Sequence, residues 1–265
     1  MKTQLKTRRF VILTSQRSGS NFLEQTLNSH PNVRCYGEIL LGFDGPEGRQ
    51  EVPAFLERRP RPAVAASALL SGGLLFPRST IQRAYGEARE SVVGFRLMYN
   101  HASGRVLRSL EQDDVSVVHL TRRNVLRQVI SRLQMHEAHV AAGTYQTHFA
   151  RGEQRVSRRG VTLAAQSEEI CQGVEELVAR RDEAMRWLDG GIRHVSLTYE
   201  DFLRDGELNP ESLQEIRGFL SIDGEFEASR LTRTGSSTLD NIVEDPAGLR
   251  ELLDKSGRGW MVDDW

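Results

Sequence analysis

The chain has 265 residues and a formal net charge of −1, so its overall charge does not indicate a nucleic-acid partner. This length suits one large α/β core or two small ones. Only three of the 35 basic residues are lysines (Lys2, Lys6 and Lys255), which nearly excludes catalysis by lysine.

The cysteine content and the hydropathy pattern both favour a cytoplasmic protein. Cys35 and Cys171 have no metal-type spacing and do not suggest a disulfide framework. No stretch approaches the 18 or so apolar residues of a membrane span, and residues 1–9 are too short and polar for a signal peptide. We therefore expect no stable membrane insertion.

The first predicted elements are a strand, a tight turn and a helix within residues 10–27. Residues 10–13 (Phe-Val-Ile-Leu) are typical of a strand buried on both faces. Phe22, Leu23 and Leu27 then recur at helical spacing. The N–H groups at the start of this helix would point back into the turn.

The turn itself has the composition of an anion site. Ser15, Ser18 and Ser20 supply hydroxyls, Gly19 permits close approach of the backbone, and Arg17 adds a full charge. A helix N-terminus binds phosphate through its free N–H groups and its dipole. A Walker A loop would also need a second glycine and a lysine, so a nucleoside triphosphatase is disfavoured. The alternative is a serine-capped turn without function.

The middle of the chain is predicted to alternate between strands and helices. We expect strands at 33–36, 91–98 and 115–120, with the last leading through Arg122 and Arg123 into a helix at 124–133. Glu38 follows the first of these strands and His101 the second. The segment 42–62 is rich in proline, glycine and charge, which predicts an irregular surface segment; helices at 63–70 and 80–90 are plausible.

The later part continues the alternation. Residues 143–160 contain little apolar sequence, so we expect a mobile lid or disorder, and 163–188 are predicted to form an amphipathic helix. A strand is predicted at 193–197, then a helix capped by Asn209 and running to residue 220. The tail from Pro246 should contain a short helix, with Trp260 and Trp265 anchoring the end of the chain.

This alternation predicts an α/β fold with a mostly parallel sheet flanked by helices. We interpret residues 1–265 as one domain, in which 42–90 and 143–162 are insertions or lids on the acceptor side.

Two of the strand-to-helix turns resemble those of sulfotransferases that use 3′-phosphoadenosine 5′-phosphosulfate (PAPS). The sequence Ser-Gln-Arg-Ser-Gly-Ser-Asn-Phe-Leu at 15–23 resembles their 5′-phosphosulfate loop, in the form found in tyrosylprotein and bacterial trehalose sulfotransferases, with Gln16 in place of proline. Arg123 and Ser131, eight residues apart, are similar to the family's 3′-phosphate motif. The resemblance implies a P-loop-like fold and PAPS as the sulfuryl donor, without a metal.

Other segments are similar to the same family. Residues 30–38 (His-Pro-Asn-Val-Arg-Cys-Tyr-Gly-Glu) resemble the segment that delivers a glutamate base, with Tyr36 as an extra residue. Residues 94–98 (Gly-Phe-Arg-Leu-Met) look like a strand of the bacterial glycolipid-type enzymes, with Arg96 where lysine is usual. Tyr199 begins a Tyr-Glu segment, and residues 231–242 resemble the late loop over the cofactor.

The resemblance implies a role for each matching residue. Glu38 is the favoured general base and His101 the alternative, while Arg17 stabilises charge on the departing phosphate. The residues implied in cofactor binding are Arg17, Ser18, Gly19, Ser20, Asn21, Arg123, Ser131, Tyr199, Arg233, Ser236 and Ser237.

Each of these assignments has a simpler alternative. Glu38 could be a solvated loop carboxylate and His101 a partly buried loop histidine. Arg123 could pair with a carboxylate, and Ser131 could bond back to its own helix. Tyr199 could serve packing alone. A metal site at His136 and His139 is rejected, because no third ligand lies nearby in the sequence.

We therefore predict a PAPS-dependent sulfotransferase that acts on a hydroxyl of a small metabolite, carbohydrate or glycolipid. One alternative is a nucleotide or small-molecule kinase with a degenerate phosphate loop, although the missing lysine argues against it. A non-catalytic nucleotide-binding module is the other alternative.

Overall fold

The computed structural model describes residues 7–39, 90–141, 163, 166–204, 207–226 and 238–265. The predicted irregular segment 42–62, the predicted helix at 63–70 and the segment 143–160 lie outside the described residues, as does the predicted helix at 80–90 except for residue 90. Arg233, Ser236 and Ser237 also lie outside them.

The elements follow one another largely as predicted. The strands are β1 (Arg8–Thr14), β2 (Val33–Tyr36), β3 (Val92–Met98), β4 (Ser116–Thr121), β5 (His194–Thr198) and the short pair β6 (Leu203–Arg204) and β7 (Glu207–Leu208). The helices are α1 (Ser20–Asn28), α2 (Gly104–Gln112), α3 (Val125–Ala141), α4 (Ser167–Asp189), α5 (Tyr199–Phe202), α6 (Pro210–Leu220), α7 (Pro246–Asp254) and α8 (Trp260–Asp263). Two 3₁₀ turns span Tyr99–His101 and Leu239–Asn241.

The main sheet has five parallel strands in the order β2-β3-β1-β4-β5, with β1 in the centre. Alternate side chains of β1 enter two different hydrophobic cores. Phe10 and Ile12 pack in one, whereas Val11 and Leu13 pack in the other. A parallel sheet with both faces covered produces the continuous apolar run seen in the sequence. The predicted α/β architecture is thus confirmed.

The chain divides into two compact units. The first comprises residues 1–121 and 184–231, and its core is the five-stranded sheet. The second comprises residues 122–183 and 232–265. Its hydrophobic core includes Val129, Ile170, Val174 and Leu249. The interpretation of residues 1–265 as a single functional domain remains a prediction.

The predicted ends of two helices were wrong. Helix α3 continues to Ala141, beyond the predicted end at residue 133. Four of the eight residues from 134 to 141 are polar, so the apolar period is weak there. Helix α4 begins at Ser167 instead of residue 163. Leu163 is buried in the core of the second unit, and its backbone N–H donates to the carbonyl of Ile242 over 2.8 Å. The local sequence pattern around Leu163 could not predict this hydrogen bond, because its acceptor lies far away in the sequence.

The predicted role of Trp260 at the end of the chain was also wrong. Its side chain is 46% exposed, whereas the next residue, Met261, is buried. The short helix α8 turns Met261 inward. Trp265 packs partly against the core of the second unit, and the guanidinium of Arg127 lies 5.6 Å from its ring centroid. Within the described residues, no helix is both long and apolar enough to cross a membrane.

Candidate functional site at the carboxyl edge of the sheet

The predicted site residues of the first unit follow the carboxyl ends of parallel strands. The turn at residues 15–19, which we call the anion loop, follows β1, and Glu38 follows β2. His101 closes the 3₁₀ turn after β3, and Tyr199 follows β5 directly. Parallel strands have their carboxyl ends at the same edge of a sheet, so these residues all follow that edge. This is the edge at which α/β proteins bind their ligands.

The anion loop contains two residues with left-handed backbone conformation. Arg17 has a φ of 62° and Gly19 a φ of 90°. Glycine adopts this region without steric cost, whereas arginine does not. A turn that alternates backbone handedness directs successive N–H groups into one concavity, which is a common anion-binding arrangement.

Gly19 also accommodates a close approach by Tyr199. An ideal Cβ placed on Gly19 would lie 2.2 Å from Cδ2 and 2.6 Å from Cε2 of the Tyr199 ring. Real Cβ atoms do not come so near to ring carbons, so only glycine fits. The structure therefore joins two residues that the sequence separates by 180 positions.

Buried hydroxyls connect the anion loop to the sheet. Thr14 Oγ1 lies 2.7 Å from the carbonyl oxygen of Leu120 and 2.6 Å from Ser18 Oγ. The carbonyl can only accept, so Thr14 donates to Leu120 and Ser18 donates to Thr14. The hydroxyl of Ser18 thus supports the loop, and its backbone N–H is the group left for a ligand.

The N-terminus of α1 is suited to an anion. Gly19 stands at the N-cap position and has no side chain to cap the helix. The first turn also holds no acidic residue. The first turn of the helix therefore presents backbone donors and the positive end of its dipole without an acidic residue of its own.

Glu38 is held beside this helix by Arg96 of β3. The side chain of Glu38 is only 10% exposed, and its Oε1 lies 3.5 Å from Arg96 Nη1. The same Nη1 lies 3.3 Å from Ser20 Oγ and also donates to Asn21 Oδ1. The glutamate predicted as a base and the first turn of α1 are therefore contacted by one guanidinium group.

Glu24 completes this charged group. Its Oε2 lies 2.6 Å from Arg96 Nε, and its side chain is 20% exposed. Burial raises the pKa of Glu24; Arg96 opposes that rise, the nearby Glu38 adds to it, and Arg34 opposes it. A change in the charge of Arg96, Glu38 or Arg34 should therefore change the pKa of Glu24.

Neither cysteine has the properties of a nucleophile. Cys35 is buried, and burial raises the pKa of its thiol well above the ordinary value. Burial also raises the pKa of Cys171. Both thiols are therefore protonated at neutral pH, which removes the reactive thiolate form.

His101 is buried at the end of its 3₁₀ turn. In the same turn, the hydroxyl of Tyr99 lies 2.7 Å from Nε2 of His119, a buried residue of β4. This contact fixes the turn against the sheet. The role of His101 as an alternative base stays a prediction.

The residues of the second predicted turn lie at the start of α3, in the second unit. Arg123 is exposed, and Ser131 is half-buried within the helix. Between them, the buried Asn124 accepts a bond from Arg127 N over 3.2 Å and donates to the carbonyls of Met261 and Asp264. Asn124 thus caps α3 and binds the final residues of the chain.

Two residues of the first-unit site were missed by the sequence interpretation. Arg96 was noted only as a replacement for lysine, and Glu24 was not singled out. The available signal was the position of Arg96 within an otherwise apolar strand, because a buried charge requires a partner. Nothing in the sequence identifies Glu24 as that partner.

The comparisons with known proteins concern the fold. No protein-family model matches the chain. A sulfotransferase domain from the curacin biosynthetic pathway is similar in structure, with a TM-score of 0.51, 17% identity, and coverage of 89% of this chain and 82% of that domain. The chain has a sulfotransferase fold. The five-stranded parallel sheet flanked by helices is consistent with this fold.

Two weaker similarities were also found. Mouse sulfotransferase SULT7A1, solved in complex with PAP, has a TM-score of 0.45 and 12% identity, with coverage of 98% of this chain and 90% of that chain. The kinetochore protein ndc-80 of Caenorhabditis elegans is 28% identical over 129 residues, which are 47% of this chain. The match covers only 21% of that protein's length.

The described part of the chain contains no group of three or more histidine, cysteine, aspartate or glutamate side chains that could hold a metal ion.

Proposed function

We propose that the chain transfers a sulfuryl group from PAPS to a hydroxyl of a small metabolite, carbohydrate or glycolipid, with Glu38 as the general base. The observation that carries this proposal is the N-terminus of α1, which has no side-chain cap and follows two left-handed loop residues, beside the Glu38 carboxylate, whose side chain is 10% exposed. Phosphate-binding donors and a proton acceptor are the two requirements of this chemistry.

The residues of the anion loop fit the phosphosulfate end of PAPS. Arg17 supplies a planar charged donor, and Ser18, Gly19, Ser20 and Asn21 supply backbone N–H groups. No residue of the first turn of α1 is acidic, so the turn itself carries no charge that would repel the ligand. These features support binding of a doubly charged anion.

The rest of the cofactor site is proposed from the family resemblance. Arg123 and Ser131 are assigned to the 3′-phosphate, and Tyr199 to a supporting contact. Arg233, Ser236 and Ser237 are assigned to the loop over the cofactor. The carboxyl ends of β1 and β4 are adjacent in the sheet, with Thr14 paired to Leu120.

PAPS supplies the sulfuryl group and leaves as the doubly phosphorylated nucleotide PAP. The protein has three tasks in the transfer. The anion loop and Arg17 stabilise negative charge on the phosphate oxygens. Glu38 accepts the proton of the attacking hydroxyl, with His101 as the alternative acceptor. The rigid sheet edge keeps these groups oriented.

Cofactor binding is tested by the effect of PAP on thermal unfolding. At a PAP concentration of about 100 times its Kd, mass action stabilises the folded state by about 2.7 kcal/mol, so the Tm should rise by several degrees. Arg123→Ala should reduce this shift, whereas Arg186→Ala, which removes another exposed arginine, should not. The proposal is wrong if millimolar PAP leaves the Tm of the wild-type protein unchanged.

The reaction is tested by transfer of radiolabelled sulfate from PAPS to a panel of sugars, phenols and glycolipids. Glu38→Gln should abolish transfer and keep PAP binding, and a loss only in His101→Ala would assign the base to His101. Binding of PAP without transfer to any acceptor would favour the non-catalytic module. Binding of ATP with Mg²⁺ in place of PAP would favour a kinase.

A further inference from the structure

Arg96 occupies a costly position for a charged residue. It lies within β3, in which every residue is buried, and its own side chain is only 9% exposed. A buried guanidinium is tolerated only where carboxylates and hydrogen-bond acceptors compensate for lost hydration. The surroundings of Arg96 should therefore explain why a charge is present there.

The side chain of Arg96 contacts two different segments of the first unit. From α1 it binds Glu24 through Nε, and Ser20 and Asn21 through Nη1. From the segment after β2 it approaches Glu38. The guanidinium of Arg96 therefore contacts both α1, the helix that follows the anion loop, and the carboxylate of Glu38, which follows β2.

The backbone of Arg96 acts on the same segment. Its N–H donates to the carbonyl of Gly37 over 3.2 Å, immediately before Glu38. Its Nη2 lies 3.6 Å from the position of an ideal Cβ on Gly37. The backbone hydrogen bond thus fixes the path of the chain at Gly37, and the guanidinium restricts the direction of the Glu38 side chain.

We propose that Arg96 is a positioning residue for catalysis, which fixes the carboxylate of Glu38 against the first turn of α1 and uses Glu24 as its counter-ion. This inference rests on the proposed function, in which Glu38 is the base. Arg96 acts through Glu38 and is assigned no contact with the sulfuryl donor.

The shape of the guanidinium is essential to this role. Arginine offers five donors in a rigid plane, so it can hold Glu24 through Nε while Nη1 reaches Glu38 and α1. The ammonium of a lysine is a single point charge on a flexible stem. Arg96→Lys would keep the charge but could not hold both segments in fixed directions.

The electrostatic coupling of Glu24 and Glu38 around Arg96 can be tested without any ligand. The charged groups that act on Glu24 are Arg96, Glu38 and Arg34. A carbon-13 NMR titration of the Glu24 carboxyl should show its midpoint move to lower pH in Glu38→Gln, because a neighbouring negative charge is lost. An unchanged midpoint would mean that the two carboxylates do not share Arg96.

The effect of Arg96 on catalysis is tested by hydrolysis of PAPS, in which water replaces the acceptor. The bond from sulfur to the phosphate oxygen breaks, a bond from sulfur to the water oxygen forms, and Glu38 takes the water proton; the products are PAP and sulfate. Arg96→Lys should lower kcat by about 100-fold through misplacement of the base, with a much smaller change in KM for PAPS.

The matched control is Arg193→Lys. Arg193 also forms two hydrogen bonds in the first unit, in which it donates to Ser116 Oγ and to the carbonyl of Phe219 at a distance of 2.5 Å each. Its replacement should leave kcat and the Glu24 midpoint unchanged. If Arg96→Lys instead raises KM and keeps kcat, or behaves like Arg193→Lys, the positioning role is wrong.

Failure of the proposed function would look different. In that case the wild-type protein would neither bind PAP nor hydrolyse PAPS, whereas the Glu24 titration would still show whether Arg96 couples the two carboxylates.

Discussion

The ring of Tyr199 occupies the space that a Cβ atom of residue 19 would need. Gly19 belongs to the anion loop after β1, and Tyr199 follows β5. The ideal Cβ position lies 2.2 Å from Tyr199 Cδ2. The ring of Tyr199 can take this position only because residue 19 is a glycine. A side chain at position 19 should therefore displace the ring.

Gly19→Ala should destabilise the protein by about 2 kcal/mol or more and abolish stabilisation by PAP. The added methyl group would overlap the ring, and a φ of 90° is unfavourable for alanine. Urea unfolding with and without PAP measures both effects.

The matched control for this change is Gly218→Ala. Gly218 lies in helix α6, and no atom comes within 4 Å of its ideal Cβ. Alanine is the better helix former, so this variant should be more stable by about 0.5–1 kcal/mol. Equal effects at the two glycines would contradict the shape match with Tyr199.

Two replacements of Arg17 separate its charge from its backbone strain. Arg17→Gly should be more stable than Arg17→Ala by about 1 kcal/mol, because only alanine is penalised at a φ of 62°. Both lack the guanidinium and should lose most of the Tm shift caused by PAP. Retained PAP binding in either variant would remove Arg17 from the cofactor site.

The stability of the wild-type protein should fall relative to Glu24→Gln as the pH rises past the ordinary carboxyl pKa. The folded-state pKa of Glu24 is raised, mainly by burial, so the folded state binds this proton more tightly than the unfolded state. The stabilisation is complete below the unfolded-state pKa and is lost as the pH rises through the folded-state pKa. Urea unfolding across this window measures the difference.

The control for the pH experiment is Glu183→Gln, at an exposed position of α4. A difference between Glu24→Gln and the wild-type protein that varies with pH no more than that of Glu183→Gln would show that burial does not perturb the Glu24 carboxyl.

Asn124→Ala should lower the free energy of unfolding by about 2 kcal/mol. The variant loses the cap of α3 and leaves the carbonyls of Met261 and Asp264 without this donor. Asn241→Ala, at an exposed asparagine of the same unit, should change stability by less than about 0.5 kcal/mol. The two values would be similar if Asn124 had no role in holding the chain end.

Local chemistry was sufficient to predict most of the fold. The strand at Val33–Tyr36 and the helix Pro210–Leu220 were predicted with their observed bounds, because an apolar period and a cap at Asn209 mark them in the sequence. Errors occurred where a distant partner decides the outcome, as at Leu163, which pairs with Ile242.

The sequence by itself determined the order of the elements, the parallel sheet and the anion loop, since each depends on neighbouring residues. Only the tertiary structure decided that Arg96 joins Glu24 to Glu38 and that Tyr199 covers Gly19. Those contacts arise from strand order and register, which bring side chains from separate segments to one edge of the sheet. A buried arginine signals that it needs partners, but its partners are chosen by the packing of strands and helices around it.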